Sequence, residues 1–158
     1  TTSVGRLFDG IAALLNLVKT VSFEGQGAIA LAAQVMESDN GQVYPYNLAV
    51  DAKKTIIDWR PMIRAIAEDL STKTVATIAQ QFHHTLIEII VAIAHQQQLK
   101  TVVLSGGCFQ NRYLLDQGIR QLTQAGFTPC WPTQIPPNDG GLCLGQLLAK
   151  VQPRRYQA

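Results

Sequence analysis

The sequence predicts an α/β fold, and three features of its second half carry that expectation. Thr101-Val-Val-Leu104 is a continuously apolar, β-branched run, as expected for a strand buried on both faces. It stops at Ser105-Gly106-Gly107, and helical spacing follows from Asn111 to Ala125, closed by Gly126 as a C-terminal cap. Thr128 to Trp131 reads as a second short strand. The loop 132–137 then leads to Asn138-Asp139-Gly140-Gly141, which opens a last helix ending near Lys150. The order β–turn–α–β–loop–α is the grammar of an open α/β sheet.

The first half is read in chain order. Residues 3–17 place Leu7, Ile11, Leu14 and Leu15 at helical spacing, with Ser3 able to cap the start. Residues 24–37 repeat the pattern behind Ser22. Residues 37–41 form a turn, and 44–50 and 55–59 read as a hairpin or two edge strands. Pro61 marks the start of a helix over 60–70, because its missing N–H costs nothing in the first turn. Residues 74–98 carry the apolar stripe Val75, Ile78, Phe82, Leu86, Ile89 and Ile93. A helix of that extent is about 37 Å long and crosses the whole domain. The expectation is one domain over 1–158, with a leading helical hairpin over 1–43 and an α/β part over 44–150.

Composition narrows the function. Of 158 residues, 47% are hydrophobic and 15% charged, which excludes a disordered chain. The thin charge raises the expectation that part of the surface faces another domain. The net charge of +2 is too balanced for a nucleic-acid binder, and the only basic cluster, Arg154-Arg155, reads as a solubilising tail. The longest apolar run, Leu86 to Ala94, contains Glu88 and is short of the ~20 residues of a membrane span. Cys108, Cys130 and Cys143 form no CxxC pair, and are read as reduced thiols of a cytoplasmic protein. The chain begins at Thr1 in mid-pattern, as though cut from something longer.

Four places could carry chemistry. The turn Ser105-Gly106-Gly107 ends a strand and opens a helix, where backbone N–H groups can approach a phosphate. It lacks the Walker lysine and the GxGxxG spacing, so a plain strand-to-helix connection stands beside the ligand reading. Asp139 could cap the last helix or ligate a divalent metal. Both glycine turns would lie at neighbouring strand ends and open on one cleft. Glu24, in Phe23-Glu24-Gly25-Gln26, could meet a ribose hydroxyl or only favour a helix start. Asp9 is either a solvated helix residue or points into a ligand cleft. His83 and His84 cannot chelate jointly from one helix, and with His95 they read as a polar helix flank with one half-buried histidine and no catalytic role. Arg6, Arg60 and Arg112 are unranked anion binders, and no cysteine has a base nearby in sequence.

Taken together, four ordered segments resemble a known family. They are Gly5-Arg-Leu-Phe-Asp-Gly-Ile-Ala-Ala-Leu-Leu, Ser22-Phe-Glu-Gly-Gln, Leu104-Ser-Gly-Gly-Cys-Phe-Gln-Asn-Arg and Pro137-Asn-Asp-Gly-Gly-Leu-Cys-Leu-Gly-Gln. Their order and spacing look like the C-terminal end of the HypF carbamoyltransferases of nickel–iron hydrogenase maturation, from Ser3 to about Leu148. The resemblance implies one lobe of an actin-like, sugar-kinase-like (ribonuclease H-like) ATPase fold, with helices packed on a small mixed sheet. It implies an enzyme that makes carbamoyl-adenylate from carbamoyl phosphate and ATP and passes the carbamoyl group to the C-terminal cysteine of HypE, for cyanide-ligand synthesis. Implied partners are HypE and the remaining HypF domains, with no nucleic acid and no membrane.

By the same resemblance, Asp9, Glu24, Gly25, Gly106, Gly107 and Asn111 match nucleotide-binding positions. Asp139 matches a ligand of a divalent metal (Zn, Fe or Mg). Cys108 departs from the small aliphatic residue expected there, and Phe-Glu-Gly-Gln departs from the Pro-Gly-Gly of tRNA-modifying relatives. The family's metal histidines, spaced i and i+4, belong to a preceding lobe, and this chain has no HxxxH. The resemblance therefore implies half of one active site and little activity for the chain alone. Two other readings stand beside it: a non-catalytic docking module, and a lobe of a tRNA threonylcarbamoyl-transferase relative.

Overall fold

The structure is a computed structural model that describes residues 3–36, 41–51 and 54–151. The helices are α1 (Val4–Leu14), α2 (Gln26–Ala32), α3 (Arg60–Asp69), α4 (Val75–Gln97), α5 (Arg112–Gln124) and α6 (Leu142–Val151). The strands are β1 (Asn47–Asp51), β2 (Lys54–Asp58), β3 (Thr101–Val103) and β4 (Thr128–Cys130), with 3₁₀ turns at Gly107–Gln110 and Asp139–Gly141. Residues 37–40 of the turn expected over 37–41, and the basic pair Arg154-Arg155, lie outside the described residues.

The fold is organised by α4, whose 23 residues span about 34 Å. Thr74 caps it by accepting from the Thr77 N–H at 3.2 Å, and Gln98 ends it in the left-handed region at φ +54°. Its apolar residues reach round most of its circumference, so it is buried on several sides. Ile78, Phe82, Ile87 and Ile89 pack with Phe8, Ile11, Leu31, Met62 and Ile66 into the larger core. Farther along, Ala94 meets Leu104 and Leu122 in a smaller cluster that seats β3 and α5. Each buried Leu, Ile or Phe contributes roughly 1.5–3 kcal/mol of transfer free energy.

The strands form two pairs. β1 and β2 are an antiparallel hairpin with Asn47 opposite Asp58, while β3 and β4 pair in parallel. Within the mixed α/β expectation, the strands are thus divided between two small sheets. The expectation that β3 is buried on both faces is corrected. Leu104 beyond its end is buried, but Val103 is 69% exposed. The reason is that β3 has β4 as its one described neighbour and packs on the core with one face only.

The helix starts are also revised. Ser3 precedes α1 without a side-chain capping bond. The second helix begins at Gln26 rather than 24, because Gly25 adopts φ +81° as its cap residue. Ser22 lies before that cap, its N–H donating to Gln26 Oε1 at 2.7 Å.

The two leading helices meet at Gly27. A Cβ there would stand 2.9 Å from Asp9 Oδ1, 3.2 Å from the Asp9 Cα and 3.3 Å from Ala12 Cβ. Two of those contacts are backbone or a short side chain, which cannot swing away. Gly27→Ala is expected to lower stability by roughly 1–3 kcal/mol through overpacking, read as a lower urea midpoint. Gly10→Ala, where a Cβ meets nothing within 4 Å, is the control and should be neutral or slightly stabilising.

Candidate functional site

Parallel pairing puts the carboxyl ends of β3 and β4 on the same side, where ligands of open α/β sheets bind. The two glycine turns that leave those ends are in contact. The Gly106 N–H donates to the Pro137 carbonyl at 2.7 Å, and Ser105 Oγ reaches the same oxygen at 3.4 Å. Gly106 has φ +104° and ψ 160°, a conformation essentially confined to glycine. One expectation changes here. The Gly106 N–H ties the turns together and is not offered to a phosphate, so Gly106 shapes the site through its backbone angle.

The second turn is built by Asn138. Its Oδ1 accepts from the Gly140 N–H at 3.0 Å, so the capping considered for Asp139 is performed by Asn138. Gly141 is demanded by packing: a Cβ would lie 2.8 Å from the Pro136 carbonyl oxygen. Asp139 is exposed, with its carboxylate outside the capping interaction. Among the described residues, no three His, Cys, Asp or Glu side chains gather in a way that could hold a metal ion. The residues present therefore do not form a metal centre by themselves.

Asn111 stands between the 107–110 turn and α5, and both ends of its amide are engaged. Oδ1 accepts from the Leu114 N–H at 3.1 Å, capping α5. Nδ2 lies 2.8 Å from Nε2 of His83, a residue with no exposure at all. The other ring nitrogen of His83 is 2.7 Å from the Ala79 carbonyl. A carbonyl only accepts, so Nδ1 carries the proton, Nε2 is the acceptor and Asn111 donates. The Leu114 N–H only donates, which independently fixes the same orientation of the amide. Burial lowers the His83 pKa to about 4, with the nearby His84 adding to the effect.

The polar-flank reading of the histidines is thus corrected for His83. Its ring is edge-on to Phe8, Phe82 and Tyr113, at centroid distances of 5.4, 5.6 and 5.8 Å. His84 bonds Tyr113 through Nε2 at 2.6 Å and stacks on its ring, and His95 packs on Phe127. His83 was missed because its neighbour in sequence is a second histidine. The usable signal was the all-round apolar character of the helix, which buries whatever polar residues it contains.

Asp9, Glu24 and Gly25 form a second group. Asp9 is half-buried, pairs with Arg6 Nη1 at 3.1 Å and lies beside Gly27 near the start of α2. Glu24 is exposed in the loop before that helix. This group joins the glycine turns through α1, which touches the 107–110 turn and whose Phe8 packs on His83. Arg60 and Arg112 pair with Asp58 and Asp116, at 2.7 and 3.1 Å. All three cysteines are free, and burial pushes the Cys108 thiol up, away from a nucleophilic thiolate.

The helices, the paired strand ends and the joined turns define the class: a mixed α/β lobe of helices packed on small sheets. The family model for the carbamoyltransferase Kae1-like domain, second subdomain, matches residues 1–146, and the chain belongs to this HypF family. It is 53% identical over 156 residues to the carbamoyltransferase HypF of Synechocystis sp., covering 99% of this chain and 20% of that protein. A crystal structure of full-length HypF in the phosphate- and nucleotide-bound form is similar at a TM-score of 0.87 and 35% identity, over 99% of this chain and 21% of that one. HypF of T. kodakarensis is similar at a TM-score of 0.75 and 27% identity, over 94% of this chain and 19% of that one. The chain thus spans about a fifth of the length of these relatives, and the tRNA-modifying reading gives way to HypF.

The depressed pKa of His83 sets a pH dependence. The unfolded ring takes up a proton below about pH 6.5, whereas the folded one resists until about pH 4. Stability is therefore full above pH 6.5 and falls as pH drops toward 4, by about 3 kcal/mol. Asp58 and Asp69 are held below the usual carboxylate range by bonds from Arg60 and Lys73, so their losses begin below that window. Urea midpoints measured from pH 7 to 4 should show the fall in the native chain and a flatter profile in His83→Phe. A flat native profile would mean that the ring is not held neutral.

Proposed function

We propose that this chain is the nucleotide-binding lobe of a HypF-type carbamoyltransferase. The enzyme uses carbamoyl phosphate and ATP to form carbamoyl-adenylate and transfers the carbamoyl group to the C-terminal cysteine of HypE. The observation that carries the reading is the meeting of two glycine turns at parallel strand ends, beside an Asn with a fixed amide. The similar full-length HypF structure is a phosphate- and nucleotide-bound form, which supports a nucleotide-handling reading.

In this reading the lobe positions a nucleotide rather than reacting with it. Asn111 bonds the nucleotide, Asp9 and Glu24 face the ribose hydroxyls, and Gly25, Gly106 and Gly107 keep Cβ atoms out of the way. A Cβ at Gly25 or Gly106 would in fact meet nothing within 4 Å, so both turns stand open on that side. In the transfer step the HypE thiolate forms a C–S bond to the carbamoyl carbon while the C–O bond to AMP breaks. Asp139 would give one carboxylate to a divalent ion (Zn, Fe or Mg) whose other ligands come from outside the described residues. Such an ion supplies Lewis-acid polarisation of an oxygen.

Docking is favoured by a separate observation. Every described residue of α6 is exposed, including Leu142 at 59%, Leu147 at 62% and Val151 at 77%. Exposed apolar surface of this kind marks an interaction site, here for the remaining HypF domains. Calorimetry with ATP separates a site from a surface that only docks. The chain should bind ATP weakly, and Asp9→Ala or Asn111→Ala should each weaken binding about tenfold or more. A pure docking module shows no binding in any form. Little carbamoylation of HypE is expected from the chain alone, and robust transfer would overturn the view that it holds half the site.

A further inference from the structure

We propose that His83 is the positioning residue for Asn111, holding its amide in the one orientation that can serve a nucleotide. The inference rests on the nucleotide reading above and adds a residue that the sequence motifs leave out. Its basis is a chain of four groups in which every donor and acceptor is forced. The Ala79 carbonyl requires Nδ1–H on His83, which leaves Nε2 to accept from Asn111 Nδ2 at 2.8 Å. The Leu114 N–H requires Oδ1 of Asn111 to face it at 3.1 Å. The amide therefore cannot flip without losing two bonds at once. One Nδ2 hydrogen and one Oδ1 lone pair remain, with their places set, for a ligand.

The ring that does this is itself immobilised. It is wholly buried, and Phe8, Phe82 and Tyr113 meet it edge-on from α1, from α4 and from α5. A capping Asn needs no such partner. Among the described residues, the capping bonds at Thr74 and Asn138 are made without a buried histidine behind them. The extra bond to Asn111 instead fits a side chain whose unused donor and acceptor must point one way.

The test has two arms. In the first, nitrogen-edited NMR of the native chain at pH 7 reads the His83 tautomer. A proton on Nδ1 and none on Nε2 is expected, and the reverse tautomer overturns the proposal without any substitution. In the second, ATP binding is measured by calorimetry for His83→Phe, which keeps the ring and loses the acceptor, and for His83→Gln, which can restore one. His83→Phe should bind about tenfold more weakly, with no further loss when combined with Asn111→Ala, and His83→Gln should recover part of the loss. Native-like ATP affinity in a folded His83→Phe overturns the positioning role and leaves the nucleotide reading standing. Absence of ATP binding by the native chain, with the expected tautomer present, overturns the nucleotide reading and the role of His83 with it. Should His83→Phe fail to fold, a loss in His83→Gln that adds in full to that of Asn111→Ala in the double variant would overturn the role as well.

Discussion

A carbonyl that can only accept and an N–H that can only donate stand at the two ends of one polar chain, and between them they determine most of the site. Ala79, His83, Asn111 and Leu114 link α4 to the turn before α5. The His83 ring is wholly buried and its bond to the Ala79 carbonyl lies out of water, where it is worth more than at the surface. The same burial makes the chain costly to leave incomplete, since an orphaned donor or acceptor there loses about 1–3 kcal/mol of solvation. Phe8 leans on the His83 ring, so α1 and its Asp9 take their place relative to the glycine turn from the same residue.

The elements were largely legible because their signals are local. The 3.6-residue stripe over 74–98, Pro61 at the start of α3 and Gly126 at φ +86° after α5 each act within a few residues. What sequence could not give is which face of an element meets nothing. The apolar run 101–104 looks like a strand covered on both sides, yet Val103 lies open because coverage depends on what packs against it. The α2 boundary shifted for a similar reason: Gly25 supports either a helix start or a continued loop, and only its φ decides.

Two pairs of glycines look alike in sequence and do different things. Gly106 is required by a backbone angle, with empty space where its Cβ would be. Gly140 and Gly141 are required by crowding, with Pro136 pressed against them. Openness on one turn and tightness on the other are complementary. The crowded turn is held rigid, its Pro137 carbonyl fixes the Gly106 N–H, and the open turn is thereby held in shape. A motif reading treats both pairs as ligand signatures, whereas the geometry assigns support to one and access to the other.

The thin charge of the sequence finds its place in α6. A 10-residue helix is marginal in water without tertiary packing, yet α6 is exposed along its described length and presents leucines to solvent. It follows directly on the 3₁₀ turn that Asn138 caps, the same segment that carries Asp139 and the Pro137 carbonyl. Any surface that covers the leucines of α6 would therefore also steady the Asp139 turn and, through Pro137, the glycine turn. Docking and site geometry are in this way one problem rather than two, and the proposed partner domains would act on the cleft by completing the packing of a single helix.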